Sequence, residues 1–158
     1  MSFTALLARF TATVETGDGA ALAALFMPDG IYHDNFYGEF AGREAIAHML
    51  TDHFWRDAEA FKWDMAEPVS DGPIGYASWT FSYLSKMVDS RGRRVAFAGM
   101  SRFVLAGDLI ARYDEAYNAG LAFAQLGMTP ERIAKILGRM SEASLRSEPL
   151  RGHLARRR

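Results

Sequence analysis

The chain contains no cysteine, so disulfides and thiolate chemistry are excluded and a zinc site loses its commonest ligand. It has almost no net charge, −1 at neutral pH, so nothing draws it broadly to nucleic acid or to an anionic membrane. No apolar run approaches the length that spans a bilayer. The N-terminus lacks the basic start and apolar run of a secretory signal, and a cytoplasmic protein is expected. Low-complexity linkers and internal repeats are also missing. What remains is 158 residues, the size of one domain, with 49% hydrophobic and 13% aromatic residues to build a core.

Apolar residues recur at helical spacing at Phe3, Leu6, Leu7, Phe10 and Val14, which predicts an amphipathic first helix. Gly17 and Gly19 break it. A short helix over residues 20–26 buries Leu22, Leu25 and Phe26, and Pro28 and Gly30 stop it. A strand from Ile31 delivers Tyr32 and Asp34 to one face by alternation. An aromatic loop precedes a third helix over residues 43–55. The period then changes. Phe61, Trp63 and Met65 alternate with Lys62 and Asp64 in a strand that Pro68 ends. Residues 74–88, 95–105 and 109–118 form three further strands, joined by turns at Asp89–Gly92 and Ala106–Asp108. Helices first and an antiparallel meander afterwards predict an α+β fold. Thr129-Pro130 then opens a helix over residues 129–144, with Ile133, Ile136, Leu137 and Met140 as its stripe. The end is basic, and without interleaved aromatics it reads as a solvated tail. Residues 1–127 are expected to form the domain, and 128–158 a helix and tail packed on it or on a partner.

Two phrases carry a resemblance. One is Asp29-Gly30-Ile31-Tyr32-His33-Asp34, followed by Gly42-Arg43-Glu44; the other runs from Gly107-Asp108-Leu109-Ile110 to Tyr117-Asn118. In this order and spacing they resemble the SnoaL-like branch of the nuclear transport factor two-like superfamily, over residues 3–118. That resemblance implies a cone-shaped, curved antiparallel sheet wrapped around N-terminal helices, enclosing an apolar pocket. Members include ketosteroid isomerases, polyketide cyclases, limonene epoxide hydrolases, scytalone dehydratases and many non-enzymes.

Carried over position by position, Asp34 stands where the isomerases keep their general base, and an apolar pocket would raise its pKa toward a useful range. Their helpers are missing. Phe10 stands at the first-helix tyrosine and Gly99 near the second acid. No aspartate flanks Met100-Ser101, where the cyclases have one. Asn118 replaces a carboxylate of the epoxide hydrolases, and the histidines of the dehydratases are absent from the sheet.

The candidate catalytic residues are therefore Asp34 and Tyr32. Candidate pocket residues are Trp63, Trp79, Phe103, Arg102, Asp114 and Asn118: the aromatics as walls, Arg102 as a rim charge or anion anchor, and Asp114 with Asn118 as a second polar group on the last strand. Each has a plainer reading. Asp34 also suits a turn, where it bonds the amides of residues 35–38. Tyr32 and the aromatics also suit a core. His33 points away by alternation, and His48 and His53 lie on different helix faces, so no metal pair is expected. No cofactor is implied. Three readings stand: a cofactor-independent proton-transfer isomerase, dehydratase or cyclase with Asp34 as base; a pocket that binds a steroid- or polyketide-like apolar molecule without chemistry; and a dimeric assembly domain. Small or apolar residues on both faces of 74–88 and 95–105 predict a homodimer.

Overall fold

The computed structural model describes residues 1–156, so Arg157 and Arg158 of the basic end lie outside the described residues. Ser2 caps helix α1 (Phe3–Thr16), its Oγ accepting from the Ala5 amide at 3.2 Å. The helix buries Leu6, Leu7, Phe10 and Val14 and ends at Gly17, whose φ of 72° is the left-handed stop glycine tolerates. Asp18 caps α2 (Gly19–Ala24) at 2.9 Å. Six strands follow: β1 (Phe26–Asp34), β2 (Gly38–Ala41), β3 (Ala58–Asp71), β4 (Ile74–Ser85), β5 (Arg94–Ala106) and β6 (Leu109–Tyr117). Between β2 and β3 a helix runs as α3 (Arg43–Met49), a π-helical turn (Leu50–Phe54) and α4 (Trp55–Asp57). The C-terminal part holds α5 (Ala119–Gln125), α6 (Pro130–Arg146) and α7 (Glu148–Ala155).

The strands form one sheet in the order β2-β1-β6-β5-β4-β3, antiparallel except for the β1–β6 pair. The architecture is the expected α+β cone. Two irregularities bend its long outer strand. The β3–β4 register shifts between Glu59 and Lys62 and again between Ala66 and Val69, where Ala60 and Glu67 take positive φ. Such bulges kink a strand and increase its twist.

One differs from expectation at Pro68, which does not end β3. The strand is at the sheet edge and Pro68 falls inside the second bulge, where a missing amide costs no ladder bond. Phe36 and Tyr37 form a tight turn into β2, a strand the sequence reading left as loop. β6 stops at Tyr117, and α5 follows at once.

The core fills the space between α1 and the sheet. Phe10 stacks on Tyr32 at 6.0 Å and meets Trp63 and Phe103 edge-on. Away from this plug the cone stays open. There α5 lies across β5, and Gln125 extends the sheet in place of a strand. Its Oε1 accepts from the Ala96 amide at 2.7 Å and its Nε2 donates to the Ala96 carbonyl at 2.8 Å. Ala122 and Leu126 bury against Val95.

Candidate functional site

Under α5 lies a cavity of about 90 Å³, bounded by Asp34, by aromatic rings from β3 to β6, and by Ala119, Ala122, Phe123 and Leu126 of the helix. A recess of about 30 Å³ bordered by Asp34, Glu115, Tyr117, Trp63 and Trp79 continues inward. The lining is overwhelmingly carbon, and Asp34 and Asp57 are its charged residues at the wider end.

Asp34 ends β1 and is buried. Its Oδ1 accepts from the Phe36 amide at 2.7 Å and the Tyr37 amide at 2.5 Å. It is thus the turn former and a cavity carboxyl at once. Those two amides hold its acidity toward normal, yet burial outweighs them and raises its pKa. A residue that the sequence reading missed works against that rise. A hydrogen bond with Glu115 of β6 favours the charged form of Asp34. Burial, then the charge of Asp34, push the Glu115 carboxyl well above the usual range. Both carboxyls are raised and Glu115 is raised well above its usual range, so of the two it is the one that holds a proton more firmly.

A chain of donors fixes the other side of Glu115. The Trp79 indole, which can only donate, gives its N–H to Ser101 Oγ at 2.7 Å. Ser101 must then donate to Tyr113 Oη, 2.8 Å away, and Tyr113 donates to Glu115 Oε2 at 3.0 Å. Glu115 Oε1 accepts from the Asn35 amide at 3.0 Å. Turn and strand therefore lock the pair from both sides.

Three phenols border the cavity. Tyr37 donates to Asp57 Oδ2 at 2.9 Å, and Arg56 pairs with both oxygens of the same aspartate at 2.7 Å. Arg56 and Tyr37 lower the Asp57 pKa. Tyr83 and Tyr117 make no side-chain hydrogen bond among the described residues. Burial and the Asp34 charge raise both, Tyr83 to about 12, so each stays a neutral donor. The Trp63 indole N–H is buried without a partner at the recess. Among the described residues no group of three His, Asp or Glu side chains is placed to hold a metal.

Of the residues expected here, Asp34, Trp63 and Trp79 border the cavity or its recess. Tyr32 shares Asp34's face but is packed among Phe10, Phe26 and Tyr113, outside the lining, and its hydroxyl has no partner. Phe103 is core, stacked edge-on against Phe3 and Tyr113. Arg102 and Asp114 are turned to the opposite face. There Asp114 meets Arg112 at 2.8 Å, His33 at 3.3 Å and Arg102 at 3.4 Å. Asn118 caps α5, accepting from the Gly120 amide at 3.1 Å. The error is one residue of register: Tyr113, Glu115 and Tyr117 face inward, Asp114 outward. The signal that marks this face is the Tyr113–Tyr117 aromatic pair with a carboxylate between.

The SnoaL-like domain family matches residues 7–113. No curated protein matches the sequence significantly. Among solved structures, a Catenulispora acidiphila protein with a ketosteroid isomerase-like fold, in complex with trimethylamine, superposes with a TM-score of 0.71 at 19% identity, over 80% of this chain and 95% of that one. TsrD from Streptomyces laurentii gives 0.67 at 19%, over 80% and 95%. An epoxide hydrolase from M. tuberculosis gives 0.64 at 15%, over 85% and 94%. At these identities the likeness is one of fold.

Proposed function

The chain belongs to the SnoaL-like domain family, and from that premise we propose that its cavity takes a small, largely apolar molecule on which Asp34 acts as general base. The reaction class is a cofactor-independent proton transfer, an isomerisation or an elimination. The observation that carries this reading is the Asp34–Glu115 pair at the head of a carbon-lined cavity. Two carboxyls whose surroundings push their protonation apart are the ordinary means of holding an acid and a base together at one pH. Asp34 takes a proton from a carbon of the ligand. Glu115 keeps its own proton, orients Asp34 and limits the cost of the buried charge. Tyr83 and Tyr117 are the neutral donors that face an oxygen gaining negative charge. α5 excludes water, which strengthens each of these contacts.

The test is proton exchange in deuterated water on a panel of small ketones and β-hydroxy carbonyl compounds, followed by NMR. The protein should exchange or convert a member of the panel, and Asp34→Asn should lose at least about a hundredfold of that rate. An Asp34→Asn protein as active as the native one would overturn the base assignment. A second reading, a binding pocket without chemistry, is favoured by one observation: Asp34 is also tied to two turn amides. It predicts ligand binding with no exchange.

The homodimer belongs to the same proposal. The outer face of β4 and β5 exposes Tyr76 and Met100 (42% and 55%), with Arg102 directly across from Tyr76, and a second copy would cover it. Light scattering showing a monomer at micromolar concentration would refute this. A cytoplasmic location rests on the sequence expectation; among the described residues no helix is long and apolar enough to cross a membrane.

A further inference from the structure

We infer that the cavity is shaped for a small organic cation, an alkylammonium group, with aromatic faces as its walls and the Asp34–Glu115 pair as its counter-ion. This rests on the reading of the cavity as a ligand site and names the class of ligand.

Three observations converge. The first is a continuous arc of rings around the cavity. Tyr37, Phe54, Phe61, Phe81, Phe97 and Tyr117 follow one another with centroids 5.7, 6.2, 5.8, 5.7 and 4.5 Å apart. Ring faces carry partial negative charge, and a cation within about 6 Å of several of them is held without any ion pair.

The second is charge. Asp34, Asp57 and Glu115 are the ionisable acids that border the space, and no Lys, Arg or His does so among the described residues. Asp57 already has Arg56 against both oxygens. The Asp34–Glu115 pair has no such partner within the cavity. A buried negative charge without a cation is costly, and a cationic ligand removes that cost. The field of these acids is felt by the neighbouring phenols: after burial, the charge of Asp34 raises the pKa of Tyr83 and Tyr117, and Asp57 and then Asp34 raise that of Tyr37.

The third is chemistry of the walls. An inorganic cation would leave its hydration shell for a surface that is mostly carbon. An alkylammonium keeps its methyl groups against the rings and Ala119, Ala122 and Leu126, and turns its charge to Asp34. That separates the apolar-cation class from both metals and neutral hydrocarbons.

The experiment uses the native protein with choline and its neutral carbon isostere, in which a tert-butyl group replaces trimethylammonium. Calorimetry at neutral pH should show choline binding at least about tenfold more tightly. The preference should vanish in Asp34→Asn and persist in Asp71→Asn, a surface charge change remote from the cavity. Should Asp34→Asn fold poorly, the native protein supplies the same test. Its preference for choline should fall as acid protonates the pair. The other groups facing the cation are Tyr37, Tyr83 and Tyr117, which stay neutral, and Asp57, which Arg56 keeps ionised; His33 lies behind Asp34 on the outer face and favours its charged form. Equal binding of the two probes, or no choline binding at millimolar concentration, overturns the inference. If the isostere alone binds, the cation class fails while the acid–base reading stands. If neither binds and both carboxyls titrate at ordinary values, both readings fall.

Discussion

Replacing Glu115 by glutamine copies the shape of its protonated carboxyl and removes its titration. The new amide can accept from the Asn35 N–H and donate to Asp34. The Tyr113 hydroxyl loses its acceptor, a loss of about 1 kcal/mol, and can turn toward the unpartnered oxygen of Tyr32. The pH dependence has a definite sign. In the folded chain Glu115 holds its proton well above the usual glutamate value of 4.5. The unfolded chain releases it near that value. Above it the folded state is the one with more protons bound, so stability falls as pH rises until Glu115 ionises in the folded state too. One proton contributes about 1.4 kcal/mol per pH unit, hence up to about 3 kcal/mol between the glutamate value and neutrality. Glu115→Gln lacks that decline. It should be less stable than the native protein by about 1 kcal/mol at the acid end and more stable by up to about 2 kcal/mol at neutral pH. Urea unfolding at a series of pH values reads this directly. Stability profiles that run parallel, with no crossing, would refute a proton held on Glu115 in the folded chain.

Three further outcomes are expected. Tyr32→Phe removes a buried hydroxyl with no partner, so stability should be unchanged or slightly higher, and ligand binding unchanged; a loss of more than about 1 kcal/mol in urea unfolding would mean that the hydroxyl is bonded. Gly99→Ala would place a Cβ 2.5 Å from the Trp79 ring and 2.7 Å from the Ala116 carbonyl. It should cost about 1–3 kcal/mol and separate Trp79 from Ser101, visible as an indole proton shift; an unchanged melting temperature would contradict that packing. On α6, Ile133, Ile136 and Met140 are half-buried and Leu137 is 38% exposed, so the stripe is only partly covered by its own chain. Changing Ile136 and Met140 to Asp should lower stability or oligomeric mass, and a protein altered in neither would show that the stripe docks nowhere.

Much of the frame was legible because it follows period and turn chemistry. The spacing of Leu6, Leu7, Phe10 and Val14 marks α1, and Gly72 and Gly107 take the positive φ that tight hairpins need. Asp34 was legible as a carboxyl at a strand end beside aromatics. Its partner was not, because a strand buried on one face reverses every side chain with a slip of one residue. Following Asp114 and Asn118 instead of Tyr113 and Tyr117 put Glu115 on the wrong side. Pro68 misled because its effect depends on whether the strand lies at an edge, and only the sheet order tells that. α5 was hidden by brevity: seven residues, mostly alanine and glycine, carry little periodic signal, yet they roof the cavity and Asn118 starts them.

The most direct measurement is a ¹³C NMR titration of the Asp34 and Glu115 carboxyl carbons in the native protein and in Asp34→Asn. If the pair shares one proton at the head of the cavity, both midpoints lie above ordinary carboxylate values, each resonance reports the titration of the other, and the Glu115 midpoint drops in Asp34→Asn as the neighbouring charge disappears. Two independent titrations near about 4, unchanged by the substitution, would contradict the acid–base pair on which the proposed function stands.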